Sequence, residues 1–322
     1  MCSVEQKRFI NYEYSGECEY MRIAVITITF NDDYKVDQWA SFYNDYKDSI
    51  YLHIIVDNGS SKKYVERLKE LFPNSVILEN QENLGLTKAY NIGIRYAFEK
   101  GDVDYIMLLA NDIQISSESI KKMASFLGEG KVDSVAPIMF EKNGYIADYG
   151  CSIDKHLMLK PFMAGKSKEL IQSNVNFCEA LTGGCNMSTI NFFQVVGLQD
   201  EALFMYSDEV DMGIRAKKCG MKMACISTSE CFHMHINPEN RELRLPFSSY
   251  LIARNKIYLA KKHKIKNRVI PIAFVLLKQS IKCFILGFFG RKKELRLKSK
   301  YIFAGIIHGL RNDMRQNKYT KA

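Results

Sequence analysis

With 322 residues, 47% hydrophobic and 25% charged, the chain is long enough to bury a sizeable core, and its composition excludes wholesale disorder. Forty-five lysines and arginines against 36 acidic residues give a net charge of +9, which suits a polyanion, an anionic membrane or a phosphorylated substrate. The nine cysteines are odd in number and include no CxxC pair, which argues against structural zinc and for reduced thiols in a cytosolic protein.

Residues 1–21 lack the apolar core of a secretory signal and read as an N-terminal extension, with Met21 as a second candidate start. Arg22 to Phe30 is a β-branched run that predicts a buried strand ending at Asn31, Asp32 and Asp33. Ile50 to Val56 repeats the pattern and ends at Asp57, Asn58 and Gly59, and the helical segment Val36 to Tyr46 between them makes a βαβ unit. A helix over Lys62 to Leu71, a strand over Ser75 to Leu78 and a helix over Leu86 to Phe98 follow. Tyr105 to Leu109 reads as a strand buried on both faces that stops at Ala110, Asn111 and Asp112. The alternation predicts an α/β doubly wound sheet, in which ligands bind at the carboxyl ends of the strands. Asp112 stands where a metal-bound phosphate would be held, although Asn111 and Asp112 would serve equally as a turn or as a cap for a helix over Ser117 to Leu127. Neither GxGxxG nor GxxxxGK[ST] occurs, so a nucleotide would be held without either glycine loop.

Ser134 to Phe140 predicts another strand, and Leu157 to Ser173, without a clear period, a loop. Phe177 to Leu181 leads to Gly183 and Gly184, where backbone would approach a ligand closely or simply turn. Downstream, Asp208, Glu209 and Asp211 follow an apolar wall of Phe204, Met205 and Tyr206 at the start of a helix running to Lys218. The helix dipole favours carboxylates there, but three in four positions exceed what capping requires. Asp211 and Arg215 are spaced to pair, leaving Glu209 or Asp208 to act as a general base toward a hydroxyl. His233 and His235 close a strand from Met223, and alternation sends both to one face, where either would meet a metal or diphosphate or serve only structure.

The ordered set VITITFN, IIVDNGSS, ENLGLTKAYNIGI, LLANDI, VVGLQDEALFMYSDEVDMGIR, His233 and YLIARNKIYLAKKH resembles family 2 of inverting nucleotide-sugar glycosyltransferases, in the branch of bacterial rhamnosyltransferases and similar polysaccharide enzymes. The resemblance covers Arg22 to His263. It implies a GT-A fold, with a Rossmann-like, mainly parallel sheet and a catalytic domain over 22–263. Residues 22–115 would form its nucleotide-binding half and 116–263 its acceptor half. By matching position it implies Thr29 and Asn31 near the nucleotide, Asp57 on a pyrimidine base, and Asn83, Gly85 and Asn91 around base and ribose. Asp112 would be the surviving carboxylate of a DxD-like motif whose first position is Ala110, binding Mg²⁺ or Mn²⁺ with the diphosphate and His233. Glu209 takes the catalytic-base position with Asp208 as its rival and Asp211 beside them, while Arg254 would neutralise the departing diphosphate. The implied reaction is metal-dependent transfer of a hexosyl or rhamnosyl group from a UDP- or dTDP-sugar to a saccharide hydroxyl in cell-surface polysaccharide synthesis.

The remainder, 264–322, reads as a basic helical region. Val269 to Phe289 has the length of a membrane span, but Lys278 and Lys282 share one helical face in its middle. Together with the basic run from Arg291 to Lys300 this favours an amphipathic helix in the interface on the inner face of the cell membrane, where a lipid-linked acceptor would reside. The alternative is a helix packed on the catalytic domain or on a second subunit of a homodimer. A nucleotidyltransferase would want a glycine-rich basic loop after the first strand, an inactive glycosyltransferase-like scaffold would suit Ala110, and no nucleic-acid motif accompanies the basic charge.

Overall fold

The computed structural model describes residues 21–234, 241–317 and 319; the extension at 1–20 and His235 lie outside the described residues. The first half runs β1 (Ile23–Thr29), α1 (Val36–Asn44), β2 (Leu52–Asp57), α2 (Lys62–Leu71), β3 (Val76–Glu79), α3 (Leu86–Lys100) and β4 (Tyr105–Leu109). β1 pairs in parallel with β2 and β4, and β2 with β3, so these carboxyl ends share one edge. Alternate side chains of β1 enter opposite cores: Ile23 and Val25 meet Trp39, Tyr64 and Leu68, while Ala24 and Ile26 meet Ala89, Tyr90 and Ile94. This is why the strand carries an unbroken apolar run rather than an alternating one. A methyl on Gly93 of α3 would lie 2.5 Å from a methyl of Ile26, so the helix needs glycine there to sit close to the sheet.

The second half adds β5 (Ile113–Ile115), α4 (Ser117–Gly128), β6 (Ser134–Glu141), β7 (Ile146–Asp148), β8 (Cys151–Ile153), β9 (Leu159–Pro161), β10 (Val175–Cys178), β11 (Cys185–Thr189), α5 (Ile190–Val196), α6 (Asp208–Lys218) and β12 (Met223–His233). The main sheet reads β10-β12-β6-β11-β4-β1-β2-β3, with β5 on β12 and β7 on β6. The sheet is mixed: it is parallel through the nucleotide half, but β11 runs antiparallel to both β4 and β6, and only β6 and β12 pair in parallel beyond it. The expected mainly parallel sheet therefore holds only as far as β4. β11 follows β6 with no α-helix between them and lies antiparallel between β6 and β4. The aperiodic stretch 157–173 contains β9, paired with β8 in a separate hairpin.

At the C-terminus α7 (Arg241–Lys262), α8 (Lys266–Phe289) and α9 (Lys293–Arg311) pack together. Ala253, Ile257, Ile272, Leu276, Ile302 and Ile306 share a core with Leu203 and Val210, which seats these helices against α6 and the turn that precedes it. Asn267–Phe289 is long and apolar enough to cross a membrane, and only 17% of its most apolar stretch is buried. Its outward side exposes Ile270, Phe274, Ile281, Phe284 and Phe289.

Candidate active site

The end of β4 is tied to two other strands. The Ala110 amide donates to the Gly184 carbonyl at 2.8 Å, and the Met234 amide donates to the Asp112 carbonyl at 3.0 Å. Asp112 Oδ1 lies 3.5 Å from His233 Nε2. Burial would raise the Asp112 carboxyl, but the hydrogen bond to His233 and the charge of Lys35 outweigh it and hold the group below the usual carboxylate range. An ionised oxygen and an imidazole nitrogen this close fit a divalent cation that takes its remaining ligands from diphosphate and water. Among the described residues no group of three or more His, Cys, Asp or Glu forms a complete metal cage. Asn111 is buried and gives its side-chain amide to Asp32 at 2.8 Å. Asp32 also accepts from Thr29 Oγ1 at 3.2 Å and lies 3.5 Å from Lys35 Nζ, and Thr29 shares a hydrogen bond with Tyr64. Asp32 and Lys35 thus brace the carboxyl end of β1, roles that nothing in the local pattern separated from those of Asn31 and Asp33.

Along the same edge, Asn31 joins the ends of β1 and β2, its amide donating to Ser60 Oγ at 2.8 Å and its Oδ1 accepting from Ser61 at 3.0 Å. Asp57 is buried. Its Oδ2 accepts the Gly59 and Ser60 amides, whereas its Oδ1 is buried with no hydrogen-bond partner. The buried Asn58 holds the 80–85 loop, donating to Asn83 Oδ1 and the Gly85 carbonyl and accepting from Asn80 and Leu84. Gly85 has φ 83°, and a Cβ there would meet Phe204 at 2.6 Å, so this approach of loop to loop is open to glycine alone. Asn91 does not join the edge. Its amide donates to the Gln199 carbonyl and Glu201 Oε1, both at 2.9 Å, and its Oδ1 accepts the Gln199 amide, which makes it a brace between α3 and the segment before α6.

The acids at the start of α6 separate into two sets. Glu209 and Asp211, two residues apart on a helix, project to opposite sides. Asp211 is wholly buried and accepts from Arg215 Nε (2.8 Å), Lys262 Nζ (2.7 Å) and His263 Nε2 (2.8 Å), which hold it far below the usual carboxylate range despite its burial. The catalytic place expected for Asp211 is therefore corrected to a scaffold role, because all of its partners come from α6 itself and the end of α7. Glu209 faces the other way, where a Cβ on Gly183 would come within 2.9 Å of its Oε1. Burial pushes both Glu209 and Asp208 up. Asp208 is raised much further, being buried, repelled by Glu209 and left with an unpartnered Oδ1. The Gly183 backbone and Asp208 both hydrogen-bond Glu209 in its ionised form. Burial and charge repulsion thus push both carboxyls up, Asp208 the further, while the Gly183 backbone favours the ionised form of Glu209. Tyr90 of α3 is buried where it feels the charges of Asp208, Glu209 and Asp112, so the two acidic stretches converge on one place. The link between them is short: Ala110 to Gly184 by a hydrogen bond, Gly183 to Glu209 by contact.

Arg254 is fully buried on α7, not a surface arginine. Its Nη2 donates to the Leu203 and Ala202 carbonyls at 2.9 and 3.3 Å and its Nη1 to Met314 at 3.4 Å, which leaves the guanidinium committed to backbone rather than turned toward a diphosphate.

The model of the family described as glycosyl transferase family 2 matches residues 25–180. Residues 25–180 form a family 2 glycosyltransferase domain. The chain is 22% identical over 249 residues to the dTDP-rhamnosyl transferase RfbF of Shigella flexneri, covering 76% of this chain and 81% of that one. It is 22% identical over 265 residues to the low-salt glycan biosynthesis hexosyltransferase Agl10 of Haloferax volcanii, covering 80% and 82%. It is 24% identical over 233 residues to an N-acetylglucosaminyl-diphospho-decaprenol L-rhamnosyltransferase of Mycobacterium tuberculosis, covering 65% and 75%. Among solved structures, the mannosyltransferase PcManGT of Pyrobaculum calidifontis, in complex with GDP-Man and Mn²⁺, superposes with TM-score 0.53 at 12% identity over 92% of this chain and 89% of that one. GalNAc-T7 with UDP, GalNAc and Mn²⁺ superposes with TM-score 0.55 at 15% identity over 68% of this chain, which spans only 44% of that structure. These superpositions establish the GT-A fold of the glycosyltransferase, and with it the α/β class.

Proposed function

We propose that this glycosyltransferase moves a hexosyl group, such as rhamnosyl, from a UDP- or dTDP-sugar to a saccharide hydroxyl with inversion of the anomeric carbon, in polysaccharide synthesis. The observation that carries the reading is the buried pair Asp208 and Glu209 joined through Gly183, Gly184 and Ala110 to Asp112 and His233. Glu209 takes the proton from the acceptor oxygen, and that oxygen attacks the anomeric carbon from the face opposite the nucleotide. Asp112 and His233 would hold Mg²⁺ or Mn²⁺, which would supply positive charge for the diphosphate as it leaves. The unpartnered Oδ1 of Asp57 supplies an acceptor for the imide N–H common to uracil and thymine. The Mn²⁺ in both solved structures and the nucleotide and lipid names of the relatives support this assignment.

The acceptor is lipid-linked in this reading, and the enzyme works in the cytoplasm against the inner membrane face, resting α8 on the bilayer. The exposed apolar side of α8 and its two mid-helix lysines support a helix lying flat rather than spanning. Flotation with anionic liposomes at low salt, lost at high salt, is the expected result; dimerisation in solution with no flotation would assign this face to a second subunit instead. For the reaction, the full chain with Mn²⁺ is assayed for nucleotide release across UDP-, dTDP- and GDP-sugars, with the anomer of the product read by NMR. Transfer with inversion, abolished by chelation and by Asp112→Ala, is expected. A product of retained configuration, or full activity in both Asp112→Ala and Glu209→Gln, would overturn the assignment.

A further inference from the structure

Immediately before α6 the backbone adopts positive φ at Phe204 (67°), Tyr206 (68°) and Ser207 (66°), none of them glycine or asparagine. Each is a conformation that L side chains rarely adopt, so something must impose it. The helix itself does not: Ser207, its N-cap, makes no side-chain capping bond. Within the turn the Met205 amide donates to the Leu203 carbonyl at 2.8 Å across Phe204, and the remaining constraint comes from α7. Asn255 Nδ2 donates to the carbonyls of Leu203 (3.1 Å), Met205 (2.9 Å) and Tyr206 (2.9 Å), and Arg254 Nη2 donates to those of Leu203 and Ala202. Arg254 Nε also donates to Asn255 Oδ1 at 3.1 Å, which fixes the orientation of the amide. Both side chains are completely buried, so these bonds form away from competing water. From the other side the Phe204 carbonyl accepts the Thr87 amide of α3 at 3.3 Å, which couples the turn to the nucleotide half.

We infer that Arg254 and Asn255 are positioning residues. They hold the 203–207 turn in its strained form and thereby set the direction in which Asp208 and Glu209 leave the first turn of α6. The inference rests on the proposed reaction and replaces the role of Arg254 as a partner of the departing diphosphate, since the side chain is wholly buried and four of its five N–H donors are given to carbonyl oxygens. Two side chains from a helix some fifty residues downstream thus fix the aim of the base.

The test uses the full chain, with Asn255→Ala, the milder Arg254→Lys, and Ser207→Gly placed in the Asn255→Ala background. Turnover is measured beside the affinities for nucleoside diphosphate and monophosphate. Asn255→Ala is expected to lower kcat by roughly ten- to a hundredfold, as a misplacement of a catalytic group does, with both nucleotide affinities within about twofold of wild type. Arg254→Lys is expected to lower kcat in the same way without changing the ratio of diphosphate to monophosphate affinity. Ser207→Gly is expected to restore part of the lost kcat, because glycine takes positive φ without being held there. An Arg254→Lys enzyme that binds diphosphate selectively less well while keeping its kcat would overturn the inference in favour of direct contact. Unchanged kcat in Asn255→Ala would overturn it outright. Absence of turnover in wild type would refute the proposed reaction and the inference together, whereas wild-type turnover with an unaffected Asn255→Ala refutes only the latter.

Discussion

Gly183 and Gly184 are adjacent, yet the structure surrounds them differently, and a methyl added to each separates catalysis from folding. At Gly183 an added Cβ would stand 2.9 Å from Glu209 Oε1; at Gly184 its neighbours would be Met139 Cε at 3.2 Å and Ile113 Cδ1 at 3.5 Å. Neither glycine has a positive φ, so alanine costs the backbone nothing special at either place. In Gly183→Ala the contact is the free end of a flexible side chain, which yields by several tenths of an ångström at little cost to the fold. That displacement also loosens the backbone hydrogen bond that favours ionised Glu209. A shift of this size in a base is expected to lower kcat by roughly ten- to a hundredfold while thermal stability changes by less than about 1 kcal/mol. Since the lost bond lowered the Glu209 carboxyl, the acid limb of the rate profile should also move to higher pH. Gly184→Ala presses on apolar side chains alone, so its kcat should stay within a few-fold of wild type. Steady-state kinetics from pH 5 to 9 beside thermal melts would decide it. Equal losses in both variants, or wild-type kinetics in Gly183→Ala, would refute the placing of Glu209 at this glycine.

Glu209→Gln should reduce kcat by about 10²–10⁴-fold, with a melting temperature equal to or above that of wild type because it relieves repulsion within a buried acidic pair; a destabilised but active enzyme would contradict this. Asp211→Ala strands Arg215, Lys262 and His263 around an empty place, and unfolding in urea should register a loss of roughly 3–5 kcal/mol before any effect on chemistry is interpretable. His53 is buried against Tyr43 and Phe72, and desolvation lowers its pKa from 6.5 to about 3. The unfolded chain therefore takes up its proton first, so this stability is present above pH 6.5 and is lost as pH falls toward 3. The loss between pH 7 and 5 comes to about 2 kcal/mol. Comparing urea midpoints of wild type and His53→Phe at the two pH values isolates it from the carboxylates, and parallel pH dependence in both proteins would show that His53 contributes nothing.

Much of the nucleotide half is legible in the chain because its signals are local. Runs such as IAVITIT and LHIIVD bury both faces of a parallel strand and can do little else, and the polar residues that end them mark the ligand-binding edge. β11 and α5 carry no comparable signal: CNMST is short and polar, and it becomes a central strand only because β4 and β6 leave a slot that it fills antiparallel to both.

At the site the division is sharper. The sequence by itself determined that an aspartate follows β4, that three acids open α6, and that these stretches occur in the order of a family 2 glycosyltransferase. The spacing to Arg215 set Asp211 apart, a pairing the structure shows, but the residues alone left Asp208 and Glu209 as rivals, because composition within one helical turn does not say which side faces what. Tertiary structure decided it by bringing Lys262 and His263 onto Asp211 and Gly183 onto Glu209. Likewise it turned Asn91 and Arg254 inward, onto the carbonyls of Gln199 and of the 202–203 turn. The physical reason is the same in each case. A polar group's role is set by the partner that satisfies it when water is removed, and here those partners lie from 26 to 108 residues away in the chain.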